Sequence, residues 1–139
     1  MNILFLCVGN SARSQIAEGL AKEMLGANHN IKSAGSIPSG YVHKGALQTM
    51  NEIGIDISMQ NSKAIEDIDE DFMKNLDYVI TLCAEEICPS VPNTTKHFHW
   101  PNEDPDNDLF NEKQSLNHFK KTRENIFKLL KKFIITEKI

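Results

Sequence analysis

Long apolar runs are missing from this chain: no stretch approaches the roughly 18 residues that a membrane-crossing helix needs. Basic residues do not outnumber acidic ones, with 15 Lys and Arg against 19 Asp and Glu and a net charge of −4. That balance argues against general binding to nucleic acid. The start, Met1 to Cys7, lacks the basic segment and cleavage site of a secretory leader, so a cytoplasmic location is expected. Only three cysteines occur, and in a reducing compartment they stay thiols unless they are being used. Repeats, low-complexity tracts and linkers are absent as well. One domain over residues 1–139, acting as a monomer, is the expected organisation.

What is present is an alternation of strand and helix patterns. Asn2 to Leu6 reads as a short buried strand, and Gln15 to Leu25 has apolar residues at helical spacing. Asn30 to Gly35 suggests a second strand, and a helix from Lys44 carries Ala46, Leu47, Met50 and Ile53 before Gly54 closes it. Short helices are expected within Ser62–Asp67 and Asp71–Leu76. Asp77 to Cys83 is the most β-prone segment, and Lys96 to Trp100 is a shorter strand candidate. A polar loop from Pro101 to Asn111 precedes a long helix whose apolar face holds Leu116, Phe119, Ile126, Leu130 and Phe133. Its basic residues, Lys120, Lys121, Arg123, Lys128, Lys131 and Lys132, are expected on the solvated face. This order predicts an α/β fold: a flavodoxin-like domain with a four-stranded parallel sheet and helices on both faces.

The chemistry concentrates in Cys7-Val8-Gly9-Asn10-Ser11-Ala12-Arg13-Ser14, where the first strand turns into the first helix. Gly9 and Asn10 tolerate the backbone angles that turn successive amides inward, and the helix start adds its positive end. Such a loop cradles an oxyanion, with Arg13 supplying a planar fork for two of its oxygens. The same positive charges favour a nucleophilic thiolate at Cys7. In a parallel sheet Cys83 ends its strand at the same edge, and Cys88 follows five residues later. In a helix those two would lie about 8–9 Å apart. A disulfide needs roughly 7 Å or less, so pairing requires the turn to unwind, which reads as a redox switch. Together with His97 and His99 their spacing fits no common zinc pattern, and no metal is expected. Asp104, beside Pro105 in the late loop, opens at the same sheet edge and is placed to protonate an oxygen leaving the oxyanion.

The stretch Cys7 to Gly19, with Ser33-Ala34-Gly35, Ile55-Asp56-Ile57-Ser58, Val79 to Cys83, His99-Trp100 and Asp104-Pro105, resembles the low-molecular-weight tyrosine phosphatase superfamily. Within it the chain is most similar to the thioredoxin-coupled arsenate reductases. The resemblance implies Cys7 as nucleophile, Arg13 and the amides of residues 8–14 as oxyanion ligands, and Asn10 and Ser14 as organisers of the loop. It further implies Asp104 as general acid, Cys83 and Cys88 as a disulfide relay, and thioredoxin as electron donor, with no cofactor. Some members bind potassium through residues matching Asn10, Glu18 and Ser33 plus an acid where Lys63 stands here, so the Lys63 ammonium is expected to replace that ion. The alternative is a phosphatase that hydrolyses phosphotyrosine through a cysteinyl-phosphate, which needs neither Cys83 nor Cys88. Such enzymes tend to place an aromatic residue after Asp-Pro, whereas Asp106 follows here. A non-enzymatic oxyanion-binding module leaves the pairing of nucleophile and acid without purpose.

Overall fold

The structure, a computed structural model, describes residues 1–84, 96–107 and 109–139. Four strands, β1 (Asn2–Cys7), β2 (Asn30–Gly35), β3 (Tyr78–Cys83) and β4 (Lys96–Asn102), form an all-parallel sheet in the order β2-β1-β3-β4. The reversal of strand order about β1 leaves a crevice at its carboxyl end, where α/β sheets of this kind bind ligands.

Strand alternation assigns the two faces. Ile3 and Phe5 of β1 join Tyr78, Ile80 and Leu82 of β3 beneath α1 (Arg13–Leu25), α2 (Lys44–Asn51) and α4 (Glu112–Glu137). Leu4, Leu6 and Val79 face the other way, against Ile68, Phe72 and Leu76 around the five-residue α3 (Glu70–Lys74). Burying Phe119, Ile126, Leu130 and Phe133 of α4 fixes that helix on the sheet, each side chain contributing roughly 1.5–3 kcal/mol. An Asn111–Gln114 capping box starts α4.

Several boundaries differ from the expected ones for identifiable reasons. Helix α1 begins at Arg13, and its N-cap position, Ala12, has no side chain with which to cap it. Helix α2 ends at Asn51, and Gly54 at φ 78° completes the turn that follows. Between Ser62 and Asp67 only Ile65–Asp67 winds, as one 3-10 turn. Strand β4 runs through Pro101 to Asn102, because Thr81 pairs with His99 and Cys83 with Asn102, leaving one extra residue in β4. Proline is compatible with that bulge on an edge strand.

One side-chain expectation is corrected. Arg123 is buried, not solvated. Its guanidinium donates to the Thr49 carbonyl (2.7 Å) near the end of α2 and pairs with Glu52 and Glu124, so α4 supplies donors that α2 lacks at its carboxyl end.

Candidate active site

The loop from Cys7 to Arg13 is shaped from outside. Ile37 N–H donates to the Val8 carbonyl, Ser39 N–H to Gly9, His43 N–H to Ser11, and the Gln15 side chain to Asn10. Four successive carbonyls are therefore held outward. Because each peptide is planar and trans, the N–H groups of Gly9, Asn10, Ser11 and Ala12 point the opposite way, into the ring. The Asn10 N–H, 3.2 Å from Cys7 Sγ, shows that direction. Asn10 adopts φ 47°, the left-handed region that asparagine tolerates better than most residues. Gly35 allows the loop to lie against the end of β2, since a Cβ there would sit 2.3 Å from the Val8 carbonyl oxygen.

Cys7 is buried at the bottom of this ring and receives a second donor, Ser14 Oγ at 2.8 Å. Asn10 Nδ2 donates to Ser14 Oγ (2.7 Å) and to Ser33 Oγ (3.0 Å), and the Ser33 hydroxyl donates a hydrogen bond to Glu18 Oε1 (2.5 Å). Because Ser14 Oγ already accepts from Asn10, its own hydrogen is available to the Cys7 sulfur. Asn10 Oδ1 accepts from Lys63 N–H (2.9 Å) and Gln15 Nε2 (3.1 Å), so every polar atom of this fully buried side chain has a partner.

Glu18 is 4% exposed and holds Lys22 through Oε2 (2.5 Å), with the Lys63 ammonium 4.0 Å from Oε1. Burial draws the Lys63 pKa down, the Glu18 carboxylate opposes this, and Lys22 and Lys32 add to the lowering. The positive charge expected to stand in for an ion is thus beside the matching carboxylate. Lys63→Ala should cost about 1 kcal/mol, since Lys22 remains paired. Melting should fall by about 3–6 °C and recover in part in KCl, read by thermal denaturation in salts of different cations.

Arg13 opens α1 with its guanidinium buried. Arg13 NH1 donates to the Asn102 carbonyl (3.0 Å), and NH2 is 3.9 Å from Asp104 Oδ2. The β4 bulge is what carries Asn102 to this position, and Asn125 Nδ2 steadies its side chain at 2.7 Å. Arg13→Lys keeps the charge but loses the fork. We expect kcat/KM to fall about 10²–10³-fold with the melting temperature held within a few degrees, checked by steady-state kinetics.

The structure brings Cys7, Arg13, Asp104 and residues 8–14 to one sheet edge. Cys83, 1% exposed, ends the neighbouring strand at that edge, but alternation groups it with Val79 and Thr81 on the α3 face, opposite the Cys7 face. A sulfur exchange between them requires the end of β3 to turn. Cys88 lies outside the described residues. His97 and His99 are exposed on β4, and no group of three or more metal-binding side chains occurs among the described residues. No helix of the described residues is long and apolar enough to cross a membrane. Sequence reasoning missed Gln15, Gln60 and Asn61, which brace the loop, Asn102, which seats Arg13, and a pairing of His43 with Asp106. Only the helix-start position of His43 carried any signal.

Comparison with known proteins agrees with this geometry. The low molecular weight phosphotyrosine protein phosphatase family matches residues 2–138. An arsenate reductase of Bacillus subtilis (strain 168) is 42% identical over 138 residues, covering 98% of this chain and 96% of the relative. A solved arsenate reductase in the phosphate binding state superimposes with a TM-score of 0.79 at 34% identity, covering 96% of each chain. A thioredoxin-dependent arsenate reductase of Corynebacterium glutamicum gives 0.68 at 29% identity, over 96% of this chain and 62% of that one. With residues 2–138 matched by the family and relatives about 40% identical along nearly the whole chain, the chain belongs to the low-molecular-weight phosphotyrosine protein phosphatase family.

Proposed function

We infer that this chain reduces arsenate to arsenite through Cys7 and an intramolecular disulfide relay regenerated by thioredoxin. The observation that carries the reading is the buried Cys7 sulfur, held by Asn10 N–H and Ser14 Oγ under inward amides, with a second cysteine ending the adjacent strand. The Cys7 thiolate attacks arsenic while Asp104 protonates the departing hydroxide, which leaves as water. Inward amides and Arg13 hold the remaining oxygens. Cys83 then attacks Cys7 sulfur, and the electron pair of the sulfur–arsenic bond stays on arsenic, which leaves as arsenite. Cys88 attacks Cys83, freeing Cys7 and leaving a Cys83–Cys88 disulfide for thioredoxin to reduce. The protein works as a cytoplasmic monomer of one domain, and no nucleic acid, membrane, metal or cofactor takes part.

A cysteinyl-phosphate would form in the same cradle, so slow hydrolysis of aryl phosphates accompanies the main reaction. The test is NADPH oxidation by thioredoxin reductase and thioredoxin with arsenate as the variable substrate. Turnover that requires arsenate and thioredoxin supports the reading. Aryl phosphate hydrolysis without arsenate turnover transfers the chain to the phosphatase reading.

A further inference from the structure

One residue touches both halves of the site. His43 is fixed to the anion loop by its backbone N–H, which donates to the Ser11 carbonyl at 2.9 Å. Its ring stacks on the buried Phe119 with centroids 4.8 Å apart and planes 25° from parallel. Gly45 makes room for that ring stack, since a Cβ there would sit 2.5 Å from Phe119. His43 Nδ1 accepts the Gly45 N–H (2.9 Å) as the N-cap of α2. An acceptor Nδ1 puts the hydrogen of the neutral ring on Nε2. That Nε2 lies 3.3 Å from Asp106 Oδ1.

Asp106 passes the constraint on. Its N–H donates to Asp104 Oδ1 at 3.0 Å, while Asp104 Oδ2 is the oxygen 3.9 Å from Arg13 NH2. One carboxyl oxygen is thus engaged by the loop's own backbone, and the other lies on the side of Arg13 and the anion loop. Few side chains of this loop are buried: Asp104 and Asp106 are exposed, and a cleft of about 450 Å³ lies between the loop and α2. Buried Pro105 and the His43–Asp106 contact fix it.

We propose that His43, through Asp106, is the positioning residue that aims Asp104 Oδ2 at the anion loop, an assignment that rests on Asp104 being the general acid. A misaimed acid loses part of the roughly 10²–10⁴-fold that general acid catalysis supplies. His43→Asn keeps an N-cap acceptor for α2 but is too short to reach Asp106, so it separates capping from positioning.

The experiment is kcat and KM for arsenate in the thioredoxin-coupled assay, with melting temperatures alongside. His43→Asn and Asp106→Ala should each lower kcat about tenfold with KM within about twofold, while Asp106→Asn, which keeps an acceptor, stays within about threefold of wild type. Asp104→Ala should fall about 100-fold, and adding His43→Asn to it should cost nothing more. Wild-type kcat in both His43→Asn and Asp106→Ala overturns the proposal, as does a further tenfold loss in the double variant, the mark of a structural role. An unchanged Asp104→Ala in an active enzyme overturns it through the general-acid reading. Should wild type not turn over arsenate, the arsenate reading fails by itself. The same variants are then read on 4-nitrophenyl phosphate, with the same criteria.

Discussion

Replacing Cys7 by serine should abolish arsenate reduction and leave the fold in place. The two electrons that convert arsenate to arsenite come from sulfur, and a serine oxygen cannot become half of a disulfide, so no residual slow route exists. Aryl phosphate hydrolysis should fall by about 10⁴-fold or more as well, because a hydroxyl in this cradle ionises far less readily than a thiol. Stability should hardly change. The Asn10 N–H and Ser14 Oγ that now reach sulfur, at 3.2 and 2.8 Å, find an oxygen acceptor of similar size. The measurements are the coupled assay, 4-nitrophenyl phosphate hydrolysis and a thermal melt. Arsenite production by a folded Cys7→Ser protein would remove Cys7 from the centre of the account.

Cys83→Ser and Cys88→Ser should each stop multiple turnover but at different points. Without Cys83 nothing displaces arsenic from Cys7, so a single cycle releases no arsenite. Without Cys88 the Cys7–Cys83 disulfide forms, one equivalent of arsenite leaves, and the enzyme stalls. Hydrolysis of 4-nitrophenyl phosphate should persist in both, within about threefold, because Cys7, Arg13 and Asp104 are untouched. The opposite faces of Cys7 and Cys83 add a structural expectation. Before the first disulfide forms, the end of β3 must turn Cys83 around the edge of the sheet, so exchange in the Cys83 region should rise on arsenate binding, read by hydrogen exchange. Single-cycle arsenite release by Cys83→Ser would break the relay at its first step.

The local part of this site was readable because its signals are local. An apolar strand, a left-handed Asn10 and a helix start lie within a few residues of one another, and the physics of the anion loop needs nothing further along the chain. The parallel sheet followed from the same alternation of patterns. Features built from distant segments left no such trace. Asn102 reaches Arg13 only because a bulge carries β4 beyond Pro101. Arg123 looked like one more charge on a polar face, yet the Thr49 carbonyl at the end of α2 draws it inside. His43 and Asp106 are ordinary residues in their own neighbourhoods, and their contact exists only once α2 and the late loop are folded beside each other.

The central claim is that oxidation starts at Cys7 and ends away from it. The most direct measurement is to treat the reduced protein, with its three thiols, with arsenate in the absence of thioredoxin, then count arsenite and thiols and map the disulfide by mass spectrometry. The account predicts one arsenite per chain, two thiols lost, and a Cys83–Cys88 bond with Cys7 still reduced. Arsenite released with all thiols intact, or a final disulfide that retains Cys7, would contradict it.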